Sequence, residues 1–312
     1  MLHLLGGIYL GWSLGANDAA NVFGTAVASK MVRFMTAALL CSFFALLGAV
    51  LEGQAGIETI GGLANQTVQS ATFAAVGAAV SITIMTFLRI PSSTSQAVVG
   101  AIIGVGIFGG GLNLAGLPKV IACWIGTPIG ALLIAMPMYR LLGWGLNALK
   151  LSMFTQDIHL RWALTAAGCY GAYALGANNV ANVTGVYYAA GLVTPLGAAL
   201  VGGISIAVGV ITFSKRVMGT VGKSIVRLDA FSALVVVLAE AITVHIYAWI
   251  GVPVSTSQAV VGAVIGVGLV KQASAVQGSA VLRIFLGWLA TPVIACGISV
   301  ALYFLTHLRY VP

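Results

Sequence analysis

Residues 91–106 read PSSTSQAVVGAIIGVG and residues 253–268 read PVSTSQAVVGAVIGVG, identical at fourteen of sixteen positions. Each copy sets three successive hydroxyls or near neighbours and an amide after a proline, and then runs into glycine-containing apolar sequence. The copies lie 162 residues apart, and other landmarks keep that spacing. GANDAAN (15–21) returns as GANNVAN (176–182), ETIG (58–61) as GTVG (219–222), and WIGTP (124–128) as WLATP (288–292). Landmarks that recur in one order at one spacing indicate a duplication. Residues 1–150 are read as the first repeat and 151–312 as the second.

The chain of 312 residues is 60% hydrophobic and only 6% charged. Soluble domains carry about 25% charged residues, so this chain could not coat itself for water. A lipid bilayer is its expected surroundings. A spanning helix takes about 20 apolar residues, and the apolar runs accommodate about ten segments, half-length ones included. The N-terminal run lacks a basic leader and continues past Asn21, so it reads as the first membrane helix. The formal charge of +8 sits in short connections, where it reports topology and not a nucleic-acid surface. Cys41, Cys123, Cys169 and Cys296 stand singly in apolar stretches and read as packing residues. Of the 40 glycines, most read as sites of close helix approach.

The first half has apolar runs near 3–29, 34–51, 70–88, 97–112 and 120–139, and the second near 162–192, 196–213, 230–250, 259–270 and 281–306. Five passes is an odd number, so the second copy must enter the membrane upside down. Charge agrees. The connection 52–69 holds Glu52 and Glu58 without Lys or Arg, whereas its counterpart 214–229 holds Lys215, Arg216, Lys223 and Arg227. Basic loops stay cytoplasmic, which also puts Lys30, Arg33, Arg140, Lys150 and Arg161 inside and both termini outside; Lys119 and Arg309 fall against the rule. Inverted repeats suit secondary transporters, because exchanging the conformations of the halves exchanges the open face.

Asp18 lies mid-run beside Asn17 and Asn21. A carboxylate at a helix centre costs roughly 2.5–3.5 kcal/mol on insertion scales, so it needs an interior partner. Carboxylate and amide oxygens suit a cation such as Na+, and the second repeat adds Asn178, Asn179 and Asn182. The glycine opening each motif suggests local unwinding that would free backbone carbonyls. Ser93, Thr94 and Ser95, with Ser255, Thr256 and Ser257, suit helix starts. Anions favour that end of a helix, and Gln96 and Gln258 can add amide donors. An anion held without Lys or Arg beside a buried acid points to cation-coupled anion transport.

GANDAANVFGT, PSSTSQAVVGA, GANNVANVTG and GVPVSTSQAVVGAVIGVG resemble the paired signatures of the PiT family of inorganic phosphate transporters, and ETIGG and KRVMGTVGKSI resemble its flanking segments. The resemblance implies an all-α integral membrane protein of two inverted-topology repeats, about five segments each, with re-entrant Ser/Thr-tipped hairpins. It implies symport of phosphate with Na+ or H+. Carried over by position, Asp18, Asn21, Asn179 and Asn182 fall in the GAND-type motifs, and Ser93 to Ser95 and Ser255 to Ser257 in the hydroxyl motifs. The chain departs from the family's usual pattern at Asn179, where Asp is usual, and at Ser95-Gln96 and Ser257-Gln258, where Thr-His is usual. Gly219 replaces a Glu, and the long hydrophilic middle loop is missing.

The substrate-binding set is thus Asp18, Ser93, Thr94, Ser95, Gln96, Asn179, Ser255, Thr256, Ser257 and Gln258. The cation set is Asn17, Asp18, Asn21, Asn178, Asn179, Asn182 and Glu240. His245 reads as a packed or capping histidine, and Pro128 and Pro292 as kinks beside Trp124 and Trp288. No cofactor or further metal is expected, and no enzyme: the hydroxyl runs have no paired base. Expected partners are inorganic phosphate or sulfate, the coupling cation, the bilayer and a second copy of the chain, in a prokaryotic inner membrane. A sulfate permease of the same fold and an anion channel are the alternatives.

Overall fold

The computed structural model describes residues 2–88, 92–109, 111–224, 228–271 and 278–307. Pro91, Arg227 and Arg309 lie outside them, as do the side chains of residues 219–224. The first half contains α1 (Leu5–Ala28), α2 (Phe34–Glu52), α3 (Gln54–Gly61), α4 (Val68–Phe87), α5 (Thr94–Gly109) and α6 (Leu117–Ala148). The second contains α7 (Met153–Ala189), α8 (Pro195–Ser224), α9 (Ala230–Ile250), α10 (Thr256–Val270) and α11 (Gly278–His307). Among the described residues the fold is all-α.

The duplication is visible in these bounds. α2 and α8 start 161 residues apart, and α4 and α9, like α5 and α10, 162 apart. Helix starts follow side-chain chemistry. Thr67 and Ser70 make a capping box at α4, and the equivalent Asp229 caps α9 by accepting from Ser232 N. The halves differ at Gly53, a poor helix residue that parts α2 from α3. Ser214 takes its place in the second half, and α8 runs on unbroken.

Packing between the halves is reciprocal. α1 packs on α8 while α2 packs on α7, and α5 packs on α11 while α6 packs on α10. Glycines mark each seam. A Cβ added at Gly15 would stand 2.0 Å from Ile206 O, and one at Gly176 would stand 1.8 Å from Ala45 O. Gly100 on Pro292 O and Gly262 on Pro128 O make the second such pair, at 2.3 and 2.0 Å. Backbones this close exchange Cα–H···O contacts, each worth about 0.5–1 kcal/mol, where lipid supplies no hydrophobic drive for association. α1 and its own counterpart α7 run antiparallel: Gly7 N donates to Tyr187 OH at 3.0 Å, while Val22 and Phe23 pack on Gly171 and Gly168.

Six described helices are long and apolar enough to cross a membrane, namely α2, α4, α6, α8, α9 and α11. α5 and α10 are shorter apolar helices of 16 and 15 residues. α1 and α7 have the length, but the polar runs 15–21 and 176–182 dilute them. Exposed Phe43, Leu51, Ile125, Trp144, Trp249 and Val293 face outward, as a lipid-bathed surface requires. The chain is an integral membrane protein.

Candidate functional site

The two hydroxyl runs stand at the tips of the α4–α5 and α9–α10 hairpins, and both tips are buried against the middles of α1 and α7. Ser255 is the N-cap of α10, its hydroxyl accepting from Gln258 N at 3.3 Å; Ser93 accepts from Gln96 N at the same distance. These serines cap, as their residue type suggests. Pro253 lies outside the helix, two residues before the N-cap Ser255.

Asp18 is 2% exposed. Asn17 Nδ2 donates to its Oδ1 at 3.0 Å and Thr94 Oγ1 to its Oδ2 at 3.3 Å. Thr256, the counterpart of Thr94, is a neighbour of the same carboxylate and its hydroxyl accepts from Asn21 on the same helix. One acid thereby stands beside the tips of both hairpins.

The asparagines cross over between repeats. Asn21 on α1 donates through Nδ2 to Thr256 Oγ1 and Ser257 Oγ at 3.0 and 3.2 Å, both on the second tip. Asn182 on α7 donates through Nδ2 to Ser95 Oγ at 3.0 Å, on the first tip, and to Asn179 Oδ1 at 2.9 Å. Ser95 Oγ in turn donates to Val254 O at 2.9 Å, tying tip to tip. Asn178 spends both ends of its amide on the backbone, donating to Val252 O and accepting from Val254 N. It braces the second tip, and a cation would find its carbonyl already engaged.

The glycines do not unwind these motifs. α1 and α7 pass through 15–21 and 176–182 as continuous helix, because Gly15 and Gly176 are used for close approach to α8 and α2. Backbone carbonyls there remain in the helix ladder, and side chains must supply the ligands. Several buried atoms lack partners among the described residues: Asn179 Nδ2, Asn182 Oδ1, Gln96 Oε1, Gln258 Oε1 and both carboxylate oxygens of Glu240. Buried polar groups rarely stay unpaired, so a donor and several oxygens beside Asp18 are consistent with a site for guests of both charges. Glu240 is fully buried, with Oε2 3.4 Å from a Cβ built at Gly171 on α7. Its counterpart in the first repeat is Ala78, so this acid breaks the internal symmetry.

His245 packs as expected, with an unforeseen partner. Its Nε2 lies 2.6 Å from Glu52 Oε2, its Nδ1 2.9 Å from Tyr170 OH, and Trp249 Nε1 donates to the same Glu52 oxygen. Glu52 and His245 lie 193 residues apart, and no local pattern links them. The four cysteines are free. Pro128 and Pro292 lie inside α6 and α11.

Comparison with known proteins places this geometry. The family model described as "Phosphate transporter family" matches residues 14–299. A Methanocaldococcus jannaschii protein named "Putative phosphate permease" is 28% identical over 94% of this chain and 93% of its own. The sulfate permease CysP of Bacillus subtilis is 29% identical over 95% of this chain and 85% of its own. A solved structure titled "The sodium-dependent phosphate transporter" superposes with a TM-score of 0.85 at 26% identity, covering 99% of this chain and 100% of that one.

Proposed function

Since the chain belongs to the phosphate transporter family, we propose that it is a secondary active transporter that carries inorganic phosphate together with Na+. Its halves, 1–150 and 151–312, serve as two inverted-topology repeats, and the α4–α5 and α9–α10 hairpins as re-entrant segments. The basic loops lie inside, with both ends of the chain outside the cytoplasmic membrane. The observation that carries this reading is the placement of Asp18, which accepts from Thr94 of the first tip and lies on the helix whose Asn21 donates to Thr256 and Ser257 of the second. An acid set beside two helix starts holds a cation between itself and an anion; without one, acid and anion would repel.

The donor set fits Na+, a hard cation that takes oxygen ligands. Asp18 supplies charge, the amides of Asn17 and Asn21 lie on the same stretch of α1, and Asn182 Oδ1 is unengaged. Asn179 Nδ2 and the hydroxyls of Ser93, Thr94, Ser255, Thr256 and Ser257 supply donors to the anion, Thr94 turning to it from Asp18 once the cation takes that carboxylate; Ser95 Oγ donates to Val254 O instead. Glu240 is a second acid for the coupling ion, Na+ or a proton. Uptake of radiolabelled phosphate into proteoliposomes tests the reading: accumulation should require an inward Na+ gradient. Equal uptake in protein-free vesicles, or flux that neither saturates nor follows the gradient, would defeat it.

A sulfate permease is the second reading. It is favoured by Asn179, which leaves Asp18 as the one acid in the paired motifs, and by the likeness to a sulfate permease. Labelled sulfate in the same vesicles decides between them.

A further inference from the structure

Two orphaned donors stand level with two orphaned acceptors, once at each of two seams between the halves. Trp124 Nε1 and Trp288 Nε1 are fully buried and, among the described residues, have no acceptor; Gln258 Oε1 and Gln96 Oε1 are fully buried and have no donor. The seams set their heights. Gly262 meets Pro128 O and Gly266 meets Leu132 O, so α10 and α6 run parallel with 262 beside 128 and 266 beside 132. One turn earlier, that register sets Gln258 beside Trp124. At the other seam Gly100 meets Pro292 O and Gly104 meets Cys296 O, which sets Gln96 beside Trp288. In each pair the glutamine shares a helix stripe with the seam glycine and the tryptophan with the seam proline, four residues on.

A buried indole N–H and a buried amide oxygen both seek partners. An amide whose oxygen is engaged on one side must aim its NH2 group the other way. At both seams that other side is the tip, because Gln96 and Gln258 directly follow the hydroxyl runs. We propose that Trp124 and Trp288 are positioning residues for anion recognition. Each donates its indole N–H to the glutamine oxygen of its own seam through one bridging water, so that Gln258 and Gln96 turn their NH2 groups toward the anion. Without the indole nothing would orient the amide, and a reversed amide would confront the anion with an oxygen. This rests on the reading of the tips as two half-sites for an anion.

The test is a cycle of variants measured by phosphate uptake in proteoliposomes. Trp124→Phe keeps the ring and removes the donor. It should raise KM for phosphate about tenfold, the worth of one hydrogen bond to a charged group, with kcat within about twofold. Sulfate has no proton to give a reversed amide, so its inhibition of phosphate uptake should weaken further than phosphate binding does. Gln258→Met should raise KM similarly, and adding Trp124→Phe to it should change nothing more. Multiplying effects in the double variant would show tryptophan acting apart from the amide and overturn the proposal. So would a silent Trp124→Phe beside an impaired Gln258→Met, which leaves the half-site reading intact. A silent Gln258→Met defeats the half-site reading itself. Trp288→Phe with Gln96→Met repeats the cycle at the other seam should either first variant fail to reach the membrane.

Discussion

Asn182 on α7 donates to Ser95 Oγ at 3.0 Å, and the equivalent Asn21 on α1 donates to Ser257 Oγ at 3.2 Å. Each repeat's long helix therefore holds the other repeat's hairpin tip. Neither half can form its tip environment alone. A conformational change that moves one hairpin must break or carry along a bond anchored in the opposite half, and so the two half-sites are mechanically joined. Such a link would move the two half-sites together in the proposed transport cycle.

Asp18 should carry the coupling. It accepts from Asn17 and from Thr94 of the first tip, with Thr256 of the second tip as a neighbour. Asp18→Asn preserves the shape of the side chain and removes its charge, so the helices should still pack. Gradient-driven phosphate uptake should fall to the level of protein-free vesicles while membrane insertion and detergent-purified yield stay normal. Undiminished sodium-driven accumulation in this variant would refute the role.

Thr94→Val and Thr256→Val each delete one hydroxyl and keep a β-branched side chain of the same size. A hydrogen bond to a charged group is worth roughly 1.5–3 kcal/mol, so each variant should bind phosphate about tenfold or more weakly. Near-equal losses are expected because the two residues are counterparts at the starts of α5 and α10. Isothermal titration of the purified variants measures this, and normal affinity in either one removes that tip from the site.

Much of this arrangement was legible in the sequence, because duplication writes itself in spacing. The offset of 161 to 162 residues already set the helix order and paired Asp18 with Asn179 and Thr94 with Thr256. Three features were not legible. Gly15 and Gly176 looked like points of unwinding, since a glycine weakens a helix whether it is used for a bend or for packing; only the nearness of Ile206 O and Ala45 O shows which. Asn178 looked like its neighbours, and its use as a brace depends on where residues 252–254 pass. The Glu52–His245 contact joins residues on α2 and α9, beyond the reach of any periodicity.

The glycine seams make a stability prediction with an internal control. Gly15→Ala would put a methyl group 2.0 Å from a backbone oxygen of α8, which cannot turn aside as a side chain can. The helices must part, at a cost of about 2 kcal/mol or more. Gly297→Ala, in α11, meets nothing within 4 Å, and should gain up to about 1 kcal/mol from helix propensity. Thermal unfolding in detergent should show the first variant falling by several degrees and the second level or higher. A Gly15→Ala protein as stable as the parent would show that the seam is looser than its geometry.

The anion itself is open to a competition test. Phosphate near neutral pH keeps at least one proton and can donate a hydrogen bond, whereas sulfate cannot. Asp18 accepts such a donor, and sulfate would face that carboxylate with oxygens alone. Leaving a buried charged group unpaired costs more than losing an ordinary hydrogen bond, so discrimination of about a hundredfold is within reach. Asn179 works against it, since an amide in place of a second acid is kinder to a fully ionised guest, and its free Nδ2 donor would serve either anion. A Na+ held on Asp18 would also blunt the carboxylate as an acceptor. The acid touches both tips, while Asn179 bonds only its neighbour Asn182, and the centrally placed group should dominate. Excess sulfate should therefore leave phosphate uptake nearly unchanged, and arsenate, which keeps a proton as phosphate does, should compete strongly. Potent inhibition by sulfate, with sulfate accumulation of its own, would show instead that Asn179 and the two glutamines set the selectivity.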